Sequence, residues 1–343
     1  MKALSFKEHG GPEVLTYTDV PDPQPPGPGE VLVQVKATSL NHLDIWVQKG
    51  WPHLELAMPH WGGADVSGVI ADLGEGVRDW EIGRRVVVDP GISTREDEFT
   101  RSGEDSVSPG YRVLGENVRG AHAEYVTIPA KNLVAMPAHL DFPSAAAPLL
   151  VTLAAWRMLI TRARLRAGET ILIVGAGGGV NSMAIQIAKL AGAKVYVVAG
   201  GAHKAALAEE LGADLILDRN KVDWGREIFR ITEHRGVDVV VDNVGAATLE
   251  TSIHAVVRGG RIVIIGNTRG PQTQIDIRYI FGKQISLVGS TMGSHQDFFK
   301  VTELLWSGKL RPVIDRVMPL REGVEACTLM ERGKLFGKVV LEP

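Results

Sequence analysis

Apolar positions along the 343-residue chain follow two rhythms. Through about residue 130 they fall in short β-branched runs, such as residues 31–36 (VLVQVK) and 85–89 (RVVVD). Turn-forming stretches, notably residues 21–29 (PDPQPPGPG), break them apart. This half reads as a mainly antiparallel, barrel-like β domain.

From about residue 145 strands alternate with helices. Residues 170–174 (TILIV) read as a buried strand. Val180, Met183, Ala184, Ile187 and Leu190 then recur at helical spacing. A second strand is expected at 194–198 and a second helix at 203–211, closed by Gly212 as a C′ glycine. Strands at 214–217, 237–241, 261–265 and 285–288 bring the total to six. Runs such as VVV and IVII suit strands covered on both faces. The pattern predicts an α/β, doubly wound parallel sheet. A helix at 297–306 and a strand at 337–341 are expected to return to the first domain. The predicted domains are 1–142, completed by 291–343, and 143–290.

The composition is that of a globular chain, 45% apolar and 22% charged, with net charge −3. No electrostatic case arises for a nucleic-acid or membrane partner. The single cysteine, Cys327, excludes a disulfide framework and a Cys-rich zinc site. The N-terminal MKALSFKEHGG carries no apolar signal region, and no transmembrane stretch is expected. The expected location is the cytosol.

The first candidate chemistry lies where TILIV runs into Gly175-Ala176-Gly177-Gly178-Gly179-Val180-Asn181. A glycine-rich turn between strand and helix lets backbone N–H groups approach a pyrophosphate. Gly178, Gly179 and Val180 are the expected contacts. Asn181 stands where a small residue usually permits close helix–strand packing, so slight local displacement is expected. A preference for NAD calls for an acid at the end of the second strand. Here that end reads Ala199-Gly200-Gly201-Ala202-His203-Lys204. Gly200, with Lys204 and Arg219 nearby, favours NADPH, with NADH possible.

Several segments carry a family resemblance: residues 40–44 (LNHLD), the glycine loop followed by AIQIAKLAGA, 209–214 (EELGAD), 237–245 (VDVVVDNVG), 258–261 (RGGR) and 336–340 (FGKVV). Over essentially its whole length the chain resembles the medium-chain dehydrogenase/reductase superfamily, both its zinc alcohol dehydrogenases and its quinone oxidoreductases. The resemblance implies a Rossmann domain plus a β-rich, partly open, GroES-like catalytic domain. It also implies a homodimer or homotetramer, paired through the strand at 285–288.

The zinc-ligand positions of that family hold other residues. Its catalytic ligands fall on Asn41, Ala64 and Pro148, and its hydroxyl relay on Leu43. Its four structural cysteines fall on Thr94, Asp97, Thr100 and Ser108. No zinc is expected, because Asn, Ala and Pro do not make a zinc site. A lobe without its metal must be held by packing, with Tyr111, Val113 and Leu114 as candidates, or be mobile. A rebuilt site from His42, His53, His60, Asp44 and Asp65 is the lesser alternative.

Without a Lewis acid, electrophilic substrates are favoured: a quinone, or an alkene conjugated to a carbonyl. Asn41 is the candidate to orient a substrate carbonyl or the nicotinamide carboxamide, with a structural turn role equally open; Asp44 is the candidate to organise the cleft, and the resemblance implies that Thr152 lies near the nicotinamide. His42 is expected to contact a cofactor phosphate. Asn243, Val244 and Gly266 should line the nicotinamide half, and Lys338 should reach the cofactor cleft. Trp51, His60, Trp61 and Tyr111 either shape the substrate pocket or simply pack. Two other functions stay open: an alcohol dehydrogenase of the same superfamily, and a non-catalytic NADPH-binding protein.

Overall fold

The computed structural model describes residues 1–333 and 335–343. The chain divides into two compact units, Met1–Leu150 with Gly293–Pro343, and Val151–Met292.

The second unit is built on a six-stranded sheet. In spatial order its strands are Leu215–Asp218, Lys194–Ala199, Thr170–Val174, Val237–Asp242, Val256–Ile264 and Ser286–Gly289, all parallel. The chain winds outward from Thr170–Val174 in one direction, then returns to lay Val237–Asp242 on its other side. Beyond the carboxyl ends of these two strands the order reverses, which is where ligands bind in sheets of this kind. Leu172, Val174, Val198, Val240, Ile253 and Ile262 share one buried cluster. Gly212 follows helix Ala202–Glu210 at φ +102°, in the backbone region a C′ glycine supplies.

Three short helices, Trp224–Ile231, Leu249–Ala255 and Ile277–Lys283, are not marked in the sequence pattern. The fifth strand begins at Val256, earlier than 261. It runs through Gly259-Gly260, and its pairing slips between Val237 and Val239. A chain without side chains at two consecutive positions bends in this way at little cost.

In the first unit, seven strands form a mainly antiparallel sheet around two apolar clusters. Strand Glu30–Ser39 is its hub. It pairs with Asp65–Leu73 on one side (Ser39 opposite Asp65) and with Lys338–Glu342 on the other (Ser39 opposite Val340). The residues just past Ser39 therefore lie beside the starts of two strands that are remote in sequence. Cys327 is buried in one of the apolar clusters, and burial pushes its thiol pKa upward.

The helical run Phe142–Arg162 is long and apolar. By length and composition it is apolar enough to cross a membrane, although 78% of its most apolar stretch is buried inside the protein. It encloses Arg157, as a core helix with satisfied polar groups does.

Candidate active site

Strand Thr170–Val174 ends at Gly175, which takes φ +96°, and helix Gly179–Leu190 starts with Gly178 as its N-cap. The first N–H groups of a helix have no intrahelical acceptor, so Gly179 and Val180 present free donors at the positive end of the dipole. A Cβ on Gly178 would meet nothing within 4 Å, so the cradle is open there. A Cβ on Gly177 would lie 2.9 Å from the Lys204 ammonium.

Asn181 does more than displace a helix. Its Nδ2 donates to the carbonyls of Val174 (3.1 Å) and Gly175 (2.8 Å), and its Oδ1 accepts from Asn243 Nδ2 at 2.8 Å. Asn243 Oδ1 in turn accepts from the Ile265 N–H at 3.2 Å. One pair of amides ties together the ends of the three central strands. Asn243 is thus occupied with backbone and neighbour, while Val244 and Gly266 lie half-buried just beyond the fourth and fifth strands.

Gly200 follows the second strand, and a Cβ there would sit 3.1 Å from the Arg219 guanidinium. Arg219 thus lies against the loop after the second strand, while Lys204 lies against Gly177 of the glycine cradle. Asp218, an acid the sequence reading did not weigh, is turned to the backbone: Oδ1 accepts from the N–H groups of Asn220 (3.0 Å) and Gly201 (3.1 Å). Those bonds hold its pKa below the ordinary carboxylate value. Thr152 is fully buried in helix Leu149–Trp156.

In the first unit Asn41, Asp65 and Lys338 converge, all buried. The Lys338 ammonium donates to Asn41 Oδ1 and to Asp65 Oδ2, the latter at 3.0 Å. Asn41 Nδ2 donates to Asp65 Oδ2 at 2.9 Å, and Ser39 Oγ donates to the same oxygen at 2.6 Å. The Leu150 N–H takes Asp65 Oδ1 at 2.7 Å. Asn41 was expected to orient a substrate carbonyl, but its amide is already held at both ends. Asp44, expected to organise the cleft, is turned to the backbone. Its two oxygens accept from the N–H groups of Asn41 (2.7 Å) and Gly63 (2.8 Å), fixing the start of helix His42–Lys49.

His42, the first residue of that helix, is reached by solvent yet crowded by protein. Desolvation first, then the Lys338 charge, lowers its pKa, so the ring is neutral near pH 7. His122, which belongs to no motif in the chain, is buried with Nε2 lacking any partner among the described residues. Desolvation lowers its pKa, and it feels the charges of Asp44, Asp65 and Lys338. His60 and Trp61 are packing residues, bonded to the carbonyls of Gly115 (3.2 Å) and Gly120 (2.9 Å). Trp51 is exposed.

Of the four positions where the family carries structural cysteines, Asp97, Thr100 and Ser108 meet. Asp97 caps helix Glu98–Arg101, accepting from the Phe99 and Thr100 N–H groups at 3.0 Å, and accepts from Ser108 Oγ at 2.5 Å. Thr94 Oγ1 donates to the Gly110 carbonyl at 2.8 Å. The lobe is thus held chiefly by hydrogen bonds around a carboxylate, with Val113 and Leu114 buried beneath. A cavity of about 410 Å³ opens beside it, lined by Arg95, Arg101, Lys131 and His295 among others. His295 Nδ1 pairs with the buried Asp89 carboxylate at 2.6 Å.

A parallel doubly wound sheet with a glycine cradle at its switch point, joined to an antiparallel β unit with a buried polar centre, defines a two-domain nucleotide-dependent oxidoreductase. Two family models match: an alcohol dehydrogenase GroES-like domain over residues 27–138 and a zinc-binding dehydrogenase domain over 179–307. An NAD-dependent alcohol dehydrogenase of Saccharolobus solfataricus is 32% identical, covering 100% of both chains. A crotonyl-CoA reductase of Streptomyces avermitilis is 30% identical over 98% of this chain and 83% of its own. A solved structure described as an NAD-dependent alcohol dehydrogenase superposes with TM-score 0.96 at 43% identity, covering 100% of both chains. The chain belongs to the medium-chain dehydrogenase/reductase superfamily and is an NAD(P)H-dependent oxidoreductase.

The nucleotide fits the residues present: an open glycine cradle, a helix N-terminus, and two basic side chains, Arg219 beside Gly200 and Lys204 beside Gly177. Zinc does not fit. Of the family's catalytic ligand positions, Ala64 and Pro148 offer no ligating side chain. At the third, Asn41 already accepts from an ammonium, and a dication there would face Lys338. Among the described residues no group of three or more His, Cys, Asp or Glu is placed to hold a metal.

Proposed function

We propose that this protein is a zinc-independent, NADPH-dependent reductase of a quinone or of an alkene conjugated to a carbonyl. The carrying observation is the pairing of an intact nucleotide cradle with a centre in which Asn41, Ala64 and Pro148 occupy the family's zinc-ligand positions. Alcohol oxidation and simple ketone reduction lean on such an acid for several kcal/mol of charge stabilisation. A conjugated acceptor is already electrophilic, so positioning and hydrogen bonding suffice. The crotonyl-CoA reductases among the relatives, one solved in complex with NADP, add support for an activated-alkene substrate.

Bound reduced nicotinamide supplies a hydride; everything else falls to the chain. Gly178, Gly179 and Val180 offer N–H groups to the pyrophosphate, and Arg219 beside Gly200, with Lys204 beside Gly177, would hold a ribose 2′-phosphate. Val244 and Gly266 border the nicotinamide end, with Asn243 and Asn181 keeping that edge rigid. Thr152 is assigned to the nicotinamide neighbourhood, and His42 to a phosphate as a neutral hydrogen-bond partner. The protein is assigned to the cytosol as a homodimer or homotetramer. Ser286–Gly289 is an open sheet edge with Leu287 exposed on it and Ile277 and Phe281 exposed nearby, which supports edge-to-edge pairing.

The test is oxidation of NADPH and NADH by the purified protein against quinones, enones, enoyl thioesters and ketones, with NAD(P)⁺ and alcohols in the reverse direction. Chelator-insensitive reduction of a conjugated acceptor with NADPH is expected. Stoichiometric zinc whose removal abolishes activity would sink the reading. NADPH binding with no turnover on any acceptor would favour the non-catalytic alternative.

A further inference from the structure

We infer that the Lys338 ammonium takes the electrostatic place of the missing zinc, donating a hydrogen bond to the substrate oxygen on which negative charge develops. The inference rests on the proposed reduction of a conjugated carbonyl and names the group that makes it work.

An ammonium carries three N–H donors and accepts nothing. Two are directed at Asn41 Oδ1 and Asp65 Oδ2. The third has no acceptor among the described residues, in a side chain that is 4% exposed. Asn41, at one of the family's ligand positions, directs Nδ2 at Asp65 Oδ2 (2.9 Å) and at the Ser39 carbonyl (3.5 Å), and its Oδ1 accepts from Lys338. The Asp65 charge is shared among Ser39 Oγ, Asn41 Nδ2, the Leu150 N–H and Lys338, which leaves the ammonium only partly neutralised. A second observation is an orphaned polar atom elsewhere in the same unit. His122 is buried with Nε2 unpartnered, and it is electrostatically coupled to Asp44, Asp65 and Lys338. Orphaned buried polar atoms call for an unseen water or ligand.

The chemistry balances without a metal. When a conjugated alkene accepts hydride at its far carbon, the alkene electron pair shifts and the carbonyl π pair moves onto oxygen. The resulting enolate oxygen is what Lys338 would hold, and a proton from water then completes the adjacent carbon. In a quinone the charge develops on oxygen likewise. Lys338 remains an ammonium throughout; it is a hydrogen-bond donor here, not the proton source.

The decisive variants are Lys338→Met and Lys338→Met with Asp65→Asn, the second removing the buried unpaired carboxylate that would otherwise threaten folding. Loss of one oxyanion donor predicts a kcat fall of about 10²–10³-fold, with the NADPH dissociation constant little changed and Lys338→Arg partly active. Independently of turnover, para-nitrophenol titrated against each protein reads the same field. Wild type should lower the bound phenol's pKa, and both Met variants should not. Unchanged kcat and unchanged phenol ionisation in the double variant would overturn the inference. So would a loss confined to NADPH affinity, which would return Lys338 to a cofactor contact. If wild type reduces no acceptor, the proposed function fails, and the phenol titration still decides the role of Lys338.

Discussion

Single residues decide which cofactor and which chemistry this scaffold accepts. Arg219 lies against Gly200 and Lys204 against Gly177. A charge-assisted hydrogen bond contributes about 1.5–3 kcal/mol, so replacing both by Ala should raise KM for NADPH by roughly ten- to a hundredfold and leave KM for NADH nearly unchanged. Steady-state kinetics with both nucleotides checks this, and equal losses with each would remove the 2′-phosphate role. Asn181 makes a different kind of contribution. Asn181→Ala leaves the Asn243 amide and two loop carbonyls without their partner. The expected loss is about 1–3 kcal/mol, read as a lower denaturation midpoint at an unchanged slope.

Elements show where sequence patterning carries information and where it stops. The six parallel strands, the helix after the glycine loop and the Gly212 stop were legible because burial on both faces and helical spacing leave an unambiguous apolar record. The helices Trp224–Ile231, Leu249–Ala255 and Ile277–Lys283 were not, being too short to repeat their period. The glycine cradle was likewise readable, since its function needs glycine itself. The Asn41–Asp65–Lys338 centre was not, because 24 residues separate the first pair and 297 separate Asn41 from Lys338. Only the pairing of three strands brings them together.

The former metal lobe is an element with its own prediction. The Ser108 hydrogen bond first, then the helix N–H bonds, depresses the Asp97 pKa. Its folded value lies below its unfolded one, near 3.9. The contribution is therefore complete above that pH and is lost as pH falls through the folded value. Hydrogen exchange in residues 94–110 should stay slow from neutral pH down to about pH 4 and quicken below it. A chelator should leave exchange there unchanged, and Asp97→Ala should release it at every pH. A chelator-sensitive lobe would mean that the hydrogen-bonded cluster does not replace the metal.

For the whole molecule, the open edge at Ser286–Gly289 sets the expected assembly. Ile277 and Phe281 are each 67% exposed, an unusual share for large apolar residues. Leu287→Lys together with Phe281→Glu should shift the protein toward monomer in light scattering, with the nucleotide cradle intact. A wild-type monomer, or a variant that still pairs, would locate the contact elsewhere.

One further property follows from Cys327. Quinones and enones are Michael acceptors that alkylate thiolates, and thiolate character governs that reactivity. The chain has one cysteine, buried among aliphatic side chains with its thiol held protonated. No accessible thiol is therefore presented. A catalyst for the proposed acceptors is thereby spared inactivation through its thiols by the compounds it consumes.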